Sequence, residues 1–130
     1  MPDIANRYAS AETLAKAANT RVGVCQMLRA AAGGDVEVVK QIRSPALDAE
    51  PIRRRVAVMW AANRYTNAST TEIGRALNRD HSQVVRGLDS AEALLVRDGD
   101  FRALTRRIGR AMRDAVPVVV ATTNQAELPL

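Results

Sequence analysis

A cluster of polar side chains near the middle of the chain has the residue types and spacing needed to recognise DNA bases. Its members and the two arginines that flank them are Arg79, Asp80, His81, Ser82, Gln83 and Arg86. Carboxylate, imidazole, hydroxyl and amide groups form hydrogen bonds of the kind that base-pair edges offer in the major groove. Because the cluster precedes an apolar helical pattern, it predicts a helix start that reads DNA bases.

We therefore predict base contacts for five residues: Asp80, His81, Ser82, Gln83 and Arg86. Asp80 also suits the N-cap position, where its side chain would accept a backbone N–H. A capping carboxylate still has an oxygen for a cytosine amino group. A purely structural interpretation, in which Asp80 only caps the helix and His81 is a hydrogen-bonded imidazole at its start, stays open.

Two short helices joined by a tight turn must position this cluster. Ser69 and Glu72 form the S-x-x-E pattern of a capping box, which predicts a helix over residues 70–77. Gly74 in the middle of that helix indicates close packing against a neighbour. The second helix follows Asp80, and its apolar positions from Val84 onward recur with helical spacing.

The remaining elements also have helical patterns. Helices are predicted over residues 11–18, 21–32, 36–42, 51–65 and 101–115, and aromatic residues make up only 3% of the chain. We expect an all-α bundle of six to seven helices around a helix-turn-helix. Residues 1–20 would form an N-terminal helical extension, residues 21–115 the DNA-binding domain and residues 116–130 an extended or disordered tail. Cys25 is expected to be a small buried hydrophobic residue.

The excess of positive over negative charge lies in one segment, and the basic residues of that segment are all arginines. Residues 51–113 contain thirteen arginines against six acidic residues, whereas residues 1–50 are balanced. Arg53, Arg54 and Arg55 lie in the first turn of the helix over residues 51–65, where the helix dipole disfavours cations. Phosphate contacts would explain this placement. A solvated basic face is the alternative, both here and for the arginines of the last helix.

The composition argues against several other functions. The chain has one cysteine, one histidine and no Gly-rich phosphate loop, so we expect no metal site, no cofactor, no enzymatic activity and no ATP-driven assembly. No apolar run approaches the roughly 20 residues of a membrane span, and the first residues do not resemble a signal peptide. We expect a cytoplasmic, nucleoid-associated protein.

The segment over residues 52–88 resembles the C-terminal DNA-binding domain of the bacterial chromosomal replication initiator, DnaA. The matching residues are Arg55, Thr66, Ile73, Gly74, Arg79, Asp80, His81, Ser82 and Val84. The resemblance implies a helix-turn-helix domain related more distantly to Trp-repressor-like folds. Gln83 replaces a second hydroxyl residue of the family, and Asn78 stands where a glycine pair is common.

The resemblance also implies roles for individual residues. Asp80, His81 and Ser82 would contact bases in the major groove, while Arg55, Thr66 and Arg79 would contact phosphates. Arg43 is the nearest candidate for an arginine that enters the minor groove, although the linker that follows it is longer than in the family.

We therefore predict a monomer that binds double-stranded DNA and regulates replication initiation or transcription, at initiator-type boxes or related sites. The main alternative is an accessory protein-interaction module that acts on the replication initiator or RNA polymerase. Binding of nucleic acid through arginine charge alone is a third hypothesis.

Overall fold

The computed structural model describes residue 8 and residues 10–115, and over these residues the chain is entirely helical. Seven α-helices follow one another without a strand. They are α1 (Ala11–Ala18), α2 (Val22–Ala31), α3 (Val36–Arg43), α4 (Ala49–Tyr65), α5 (Thr70–Leu77), α6 (His81–Arg97) and α7 (Gly99–Ala115). The predicted all-α bundle of six to seven helices is confirmed. The tail predicted for residues 116–130 lies outside the described residues.

Side-chain caps determine where most helices begin. Ser10, Asp35, Ser69 and Asp80 each accept a backbone N–H in the first turn of the helix that follows. At Ser69 and Asp80 the third helical residue bonds back to the cap, which completes two capping boxes. Asp98 accepts the N–H of Phe101 at 3.1 Å. The last helix therefore begins at Gly99, two residues earlier than the sequence predicts.

Helix α4 lies at the centre of the bundle and contacts α2, α3, α5, α6 and α7. Because it is surrounded, its buried face is wider than the predicted stripe. Val56, Val58 and Met59 are buried as expected, but Ile52 is 37% exposed and Arg55 only 4% exposed. An arginine thus occupies an interior position of the central helix.

Helices α5 and α6 form the predicted helix-turn-helix, and a tight turn joins them. Asn78 adopts the left-handed conformation, with φ of 59°, and the N–H of Arg79 donates to the carbonyl of Gly74 at 2.8 Å. A Cβ atom at Gly74 would lie well inside van der Waals contact of the Arg79 carbonyl oxygen. Glycine is therefore required where the turn passes over α5.

The helix of the predicted N-terminal extension, α1, shares the core of the bundle. Leu14 is fully buried, and α1 packs against α2 and α5. The hydroxyl of Thr20 donates to the carbonyl of Glu72 at 2.9 Å, and Arg75 Nε donates to the carbonyl of Asn19 at 2.7 Å. The segment before α2 therefore fastens the first helix of the helix-turn-helix.

Among the described residues, no helix combines the length and the apolar character that crossing a bilayer requires. Cys25 is fully buried in the core, as predicted. Burial raises the pKa of its thiol to about 11, against a smaller opposing effect of Arg43.

Candidate nucleic-acid interface

The N-terminal end of α6 is a capped helix start with exposed polar groups, and we call residues 80–86 the reading turn. Asp80 Oδ1 accepts the N–H of Gln83 and the hydroxyl of Ser82, at 2.9 and 2.8 Å. In return, Gln83 Oε1 accepts the N–H of Asp80 at 2.9 Å. These bonds fix the side chains of Asp80, Ser82 and Gln83 relative to one another before any ligand binds.

The same contacts keep Asp80 ionised. The backbone N–H of Gln83, and then the Ser82 hydroxyl, hold the pKa of the Asp80 carboxyl below its usual range, with smaller contributions from Arg86 and His81. An ionised carboxylate is only an acceptor, and Oδ1 is already occupied. Oδ2 remains available for a donor such as the amino group of cytosine.

Four side chains of the reading turn share the outward face of α6: His81, Ser82, Val85 and Arg86. Because successive residues are 100° apart around the helix axis, these four side chains span an arc of about 140°. His81, Val85 and Arg86 are exposed, whereas the core side of the helix carries Val84, Gly87 and Ala91. The imidazole of His81 and the guanidinium of Arg86 form no hydrogen bond with another described residue. Both are therefore available to a ligand.

Val85 is a member of this face that the sequence prediction missed. It is 47% exposed, one helical turn after His81 and off the core stripe. Its place could have been derived from the spacing, because residues 81 and 85 share a face. The base contacts predicted from the sequence are all polar residues, although an apolar side chain can contact the methyl group of thymine.

Arg55, predicted to contact phosphate, is turned into the protein. Nε donates to the carbonyl of Ile42 at 2.6 Å, and Nη2 donates to the carbonyls of Ser44 and Ala46 at 3.0 and 2.6 Å. These acceptors belong to the end of α3 and the segment that follows it, residues 44–48. Arg55 therefore satisfies backbone groups that a helix end leaves unpaired.

Arg79 and Arg43 also bond to backbone carbonyls near the reading turn. Arg79 Nη2 donates to the carbonyl of Ser44 at 2.6 Å, and burial holds the pKa of its guanidinium below the usual range. Arg43 Nε donates to the carbonyl of Ala76 at 2.9 Å, and its guanidinium stacks on the ring of Tyr8. Arg43, predicted as a minor-groove contact, lies at the end of α3 and joins it to α5.

The other predicted phosphate contacts lie away from the reading turn. Arg53 pairs with Glu50 and Asp98, and Arg54 pairs with Glu50 and donates to the carbonyl of Ala31. The hydroxyl of Thr66 donates to the carbonyl of Ala62 at the other end of α4. Contacts within the protein thus account for the first-turn arginines that seemed to need a phosphate.

A partly apolar groove runs beside the reading turn, between α6 and the start of α4. Its volume is about 320 Å³. Leu47, Ile52, Val56 and Met59 contribute apolar surface, and Leu47 is 81% exposed. The lining also includes the following polar residues: Arg55, Arg79, Gln83 and Arg86. The groove extends the surface of the reading turn towards residues 44–48.

Within the described part of the chain, no group of three or more His, Cys, Asp or Glu side chains is arranged to hold a metal ion. No buried side-chain nitrogen or oxygen there lacks a hydrogen-bond partner. The polar groups open to a ligand are therefore those at the surface, and the densest set near one helix start is the reading turn.

Comparisons with models of known protein families, with curated proteins and with solved structures find no match to this chain. Its function is therefore argued from the exposed groups of the reading turn and from the motif over residues 52–88.

Proposed function

We propose that the protein binds double-stranded DNA sequence-specifically, with the reading turn in the major groove, and thereby regulates replication initiation or transcription. The observation that carries the proposal is the exposed face of His81, Ser82, Val85 and Arg86 at the start of the second helix of a helix-turn-helix. A recognition helix uses this end because its first turn reaches the base edges.

Each group of that face has a natural counterpart in DNA. Arg86 suits the two acceptors of guanine, Asp80 Oδ2 the amino group of cytosine, and Val85 the methyl group of thymine. Ser82 and His81 can donate or accept. The reciprocal bonds of Asp80 and Gln83 pre-organise the turn, so that little side-chain freedom is lost on binding.

Positioning on the DNA would come from a smaller set of groups than the sequence predicts. Arg79, beside the reading turn, keeps its positive charge although its N–H groups bond to carbonyls. Arg55 is left out because it is buried, and Arg53 and Arg54 are left out because they pair with carboxylates and lie away from the reading turn.

Selection from a pool of random duplexes tests the proposal. We expect the purified protein to enrich one motif, and His81→Ala and Arg86→Ala each to reduce discrimination at one or two positions by about 1 to 3 kcal/mol. Lys16→Ala, on the exposed side of α1, is the control and should retain the motif. Failure of the wild-type protein to enrich any motif would falsify sequence-specific binding.

The partly apolar groove favours a second candidate function, in which the protein is an accessory module that binds the replication initiator or RNA polymerase. Leu47 is too exposed to stabilise the fold, and a protein partner would bury it. In this case Leu47→Ser should weaken binding to the purified partner, and His81→Ala should not. If His81→Ala weakens binding to the selected duplex and Leu47→Ser does not, the result supports DNA binding.

A further inference from the structure

Four arginines on the solvent side of α7 form a face that the reading turn does not use. We call Arg106, Arg107, Arg110 and Arg113 the α7 arginine face; all four are exposed. None of them forms an ion pair or hydrogen bond with another described residue. The opposite side of α7, with Phe101, Leu104 and Ile108, is buried in the core.

The arginines of this face repel one another within the helix. Arg106 and Arg110 are four residues apart, and Arg110 and Arg113 three, so like charges are neighbours and repel by about 0.2 to 0.5 kcal/mol per pair. Several other arginines in the bundle have partners within the protein. Arg102, for example, donates to the carbonyls of Leu95 and Val96 at the end of α6. The α7 arginine face has no such internal role.

The composition of the surface indicates the chemistry of its ligand. Besides the four arginines, the exposed positions over residues 99–113 are Gly99, Asp100 and Ala103, so this part of α7 offers no exposed aromatic or large aliphatic anchor. Protein partners bind mainly through such anchors. A row of forked, permanent cations instead suits a regular array of phosphates.

The α7 arginine face is well separated from the reading turn. On α4, Ile52, Val56 and Met59 line the groove beside α6, whereas Arg53 and Arg54 line a depression beside Arg107. Because successive residues are 100° apart around a helix, these two sides of α4 are nearly opposite. The widths of α4 and α7 together therefore put about 20 Å between the groove and the α7 arginine face.

Contacts between α6 and α7 place the start of α7 near the end of α6, away from the reading turn. Arg102 reaches the carbonyls of Leu95 and Val96 near the end of α6, while the reading turn is at its start. At 1.5 Å for each residue, the two ends of α6 are about 24 Å apart. One short stretch of duplex in contact with the reading turn would therefore leave the α7 arginine face open.

We propose that the α7 arginine face is a second, sequence-independent binding site for the phosphate backbone of a nucleic-acid duplex. One molecule then holds two DNA segments, one read by α6 and the other held by α7. The bridging of two segments rests on the proposed function, whereas the affinity of the face for phosphate does not.

The first test measures phosphate binding without the reading turn. In a His81→Ala/Arg86→Ala background, Arg106→Gln/Arg110→Gln is compared with Lys16→Gln/Lys40→Gln, which removes the same charge from α1 and α3. Binding of a random-sequence duplex is measured against salt. We expect the α7 variant to lower the slope of log K against log salt by about two units, since each lost phosphate contact removes about 0.9. Equal slopes in the two variants overturn the proposal.

A second measurement identifies the class of ligand. The proposal requires the wild-type face to bind the duplex more tightly than a poly-glutamate peptide of equal charge. Tighter binding of the peptide, lost with Arg106→Gln/Arg110→Gln, would assign the face to an acidic protein and overturn the proposal. Helical content by circular dichroism is recorded for every variant, so that loss of the fold is not mistaken for loss of binding.

Bridging is tested with two duplexes. An immobilised duplex carries the selected motif, and a labelled duplex of unrelated sequence is added with the protein. We expect wild-type protein to capture the labelled duplex, and Arg106→Gln/Arg110→Gln to bind the motif but capture several-fold less. Equal capture contradicts bridging. If no motif is selected, the proposed function fails, while the salt measurement still decides whether α7 binds phosphate.

Discussion

Arg55 and Arg86 carry the same charge but have opposite surroundings. Arg55 is 4% exposed and holds carbonyls of Ile42, Ser44 and Ala46, while Arg86 is exposed on the reading turn. A charge count cannot distinguish them, because both lie in the same basic segment. The first is an internal connector between α4 and the end of α3, and the second is open to a ligand.

We predict that Arg55→Ala destabilises the fold, by about 2 to 3 kcal/mol, because it leaves buried carbonyls without a donor. Arg55→Lys should recover only part of the loss, since an ammonium group lacks the forked geometry that reaches several carbonyls. Arg86→Ala is the matched control and should leave the midpoint of urea unfolding unchanged. If the Arg55→Ala protein had wild-type stability and weaker DNA binding, Arg55 would contact phosphate, as the sequence predicts, and this prediction would be wrong.

The caps of the helix-turn-helix also make stability depend on pH. The pKa of Asp80 is lowered from 3.8, chiefly by the N–H of Gln83, and that of Glu72 from 4.5, chiefly by Arg21. A carboxyl whose pKa is lower in the folded state than in the unfolded state stabilises the fold above its unfolded pKa. This contribution is lost as pH falls through the folded pKa.

We therefore predict that stability decreases as the pH falls below about 4.5, and that Asp80→Asn reduces this decrease. Asparagine can cap the helix but does not titrate. Asp89→Asn, an exposed change in the same helix, should leave the decrease as in the wild type. Urea unfolding at several pH values measures it, and identical curves for wild type and Asp80→Asn would contradict the prediction.

At the scale of elements, close approaches decide how α5 and α6 fit together. The turn between them passes over Gly74, and Gly87 of α6 faces the thioether of Met59 on α4. Neither position tolerates a side chain without a shift. At Gly74 the obstacle is backbone, whereas at Gly87 it belongs to a side chain that can change rotamer.

We predict opposite effects of the same substitution at two helical glycines. Gly74→Ala should destabilise the protein, because the new methyl group meets the Arg79 carbonyl and displaces the turn. Gly109→Ala should stabilise it by up to about 1 kcal/mol through helix propensity, since its nearest obstacle, the Tyr65 hydroxyl, is 3.5 Å away. Thermal unfolding compares the two, and equal changes in midpoint would show that contact at Gly74 does not matter.

The helices could be predicted from the sequence because their signals are local. The helices capped by Ser10, Asp35, Ser69 and Asp80 begin at the predicted residues. The roles of the arginines could not be predicted in this way. Whether Arg55 faces solvent depends on the carbonyls of residues 42–46, which only the packing of α3 against α4 brings within reach.

At the scale of the whole molecule, one core joins all seven helices of the described residues. Leu14 of α1, Val58 of α4 and Ile108 of α7 belong to the same buried cluster. The sequence assigned residues 1–20 to an N-terminal helical extension, and hydrogen bonds from Thr20 and Arg75 connect α1 and its linker to α5. The reading turn is therefore held by a bundle that includes the first helix.

The burial of Cys25 makes its thiol a reporter of how often this core opens. It is the single cysteine of the chain, it is fully buried, and its pKa is raised to about 11, so an alkylating reagent reacts with it only in opened molecules. We predict that a saturating duplex, at about one hundred times its dissociation constant, slows alkylation about one-hundredfold, because binding stabilises the folded state by about 2.7 kcal/mol.

Mass spectrometry of the alkylated chain would follow this reaction without any label on the DNA. The alkylating reagent is iodoacetamide. As a control, its reaction with glutathione is followed in the same mixture, which shows whether the duplex affects the reagent itself. A labelling rate that does not change when duplex is added would mean that DNA does not bind the folded state more tightly than the opened one. The alkylation rate of the buried Cys25 thiol thus reports how tightly the folded protein binds its ligand.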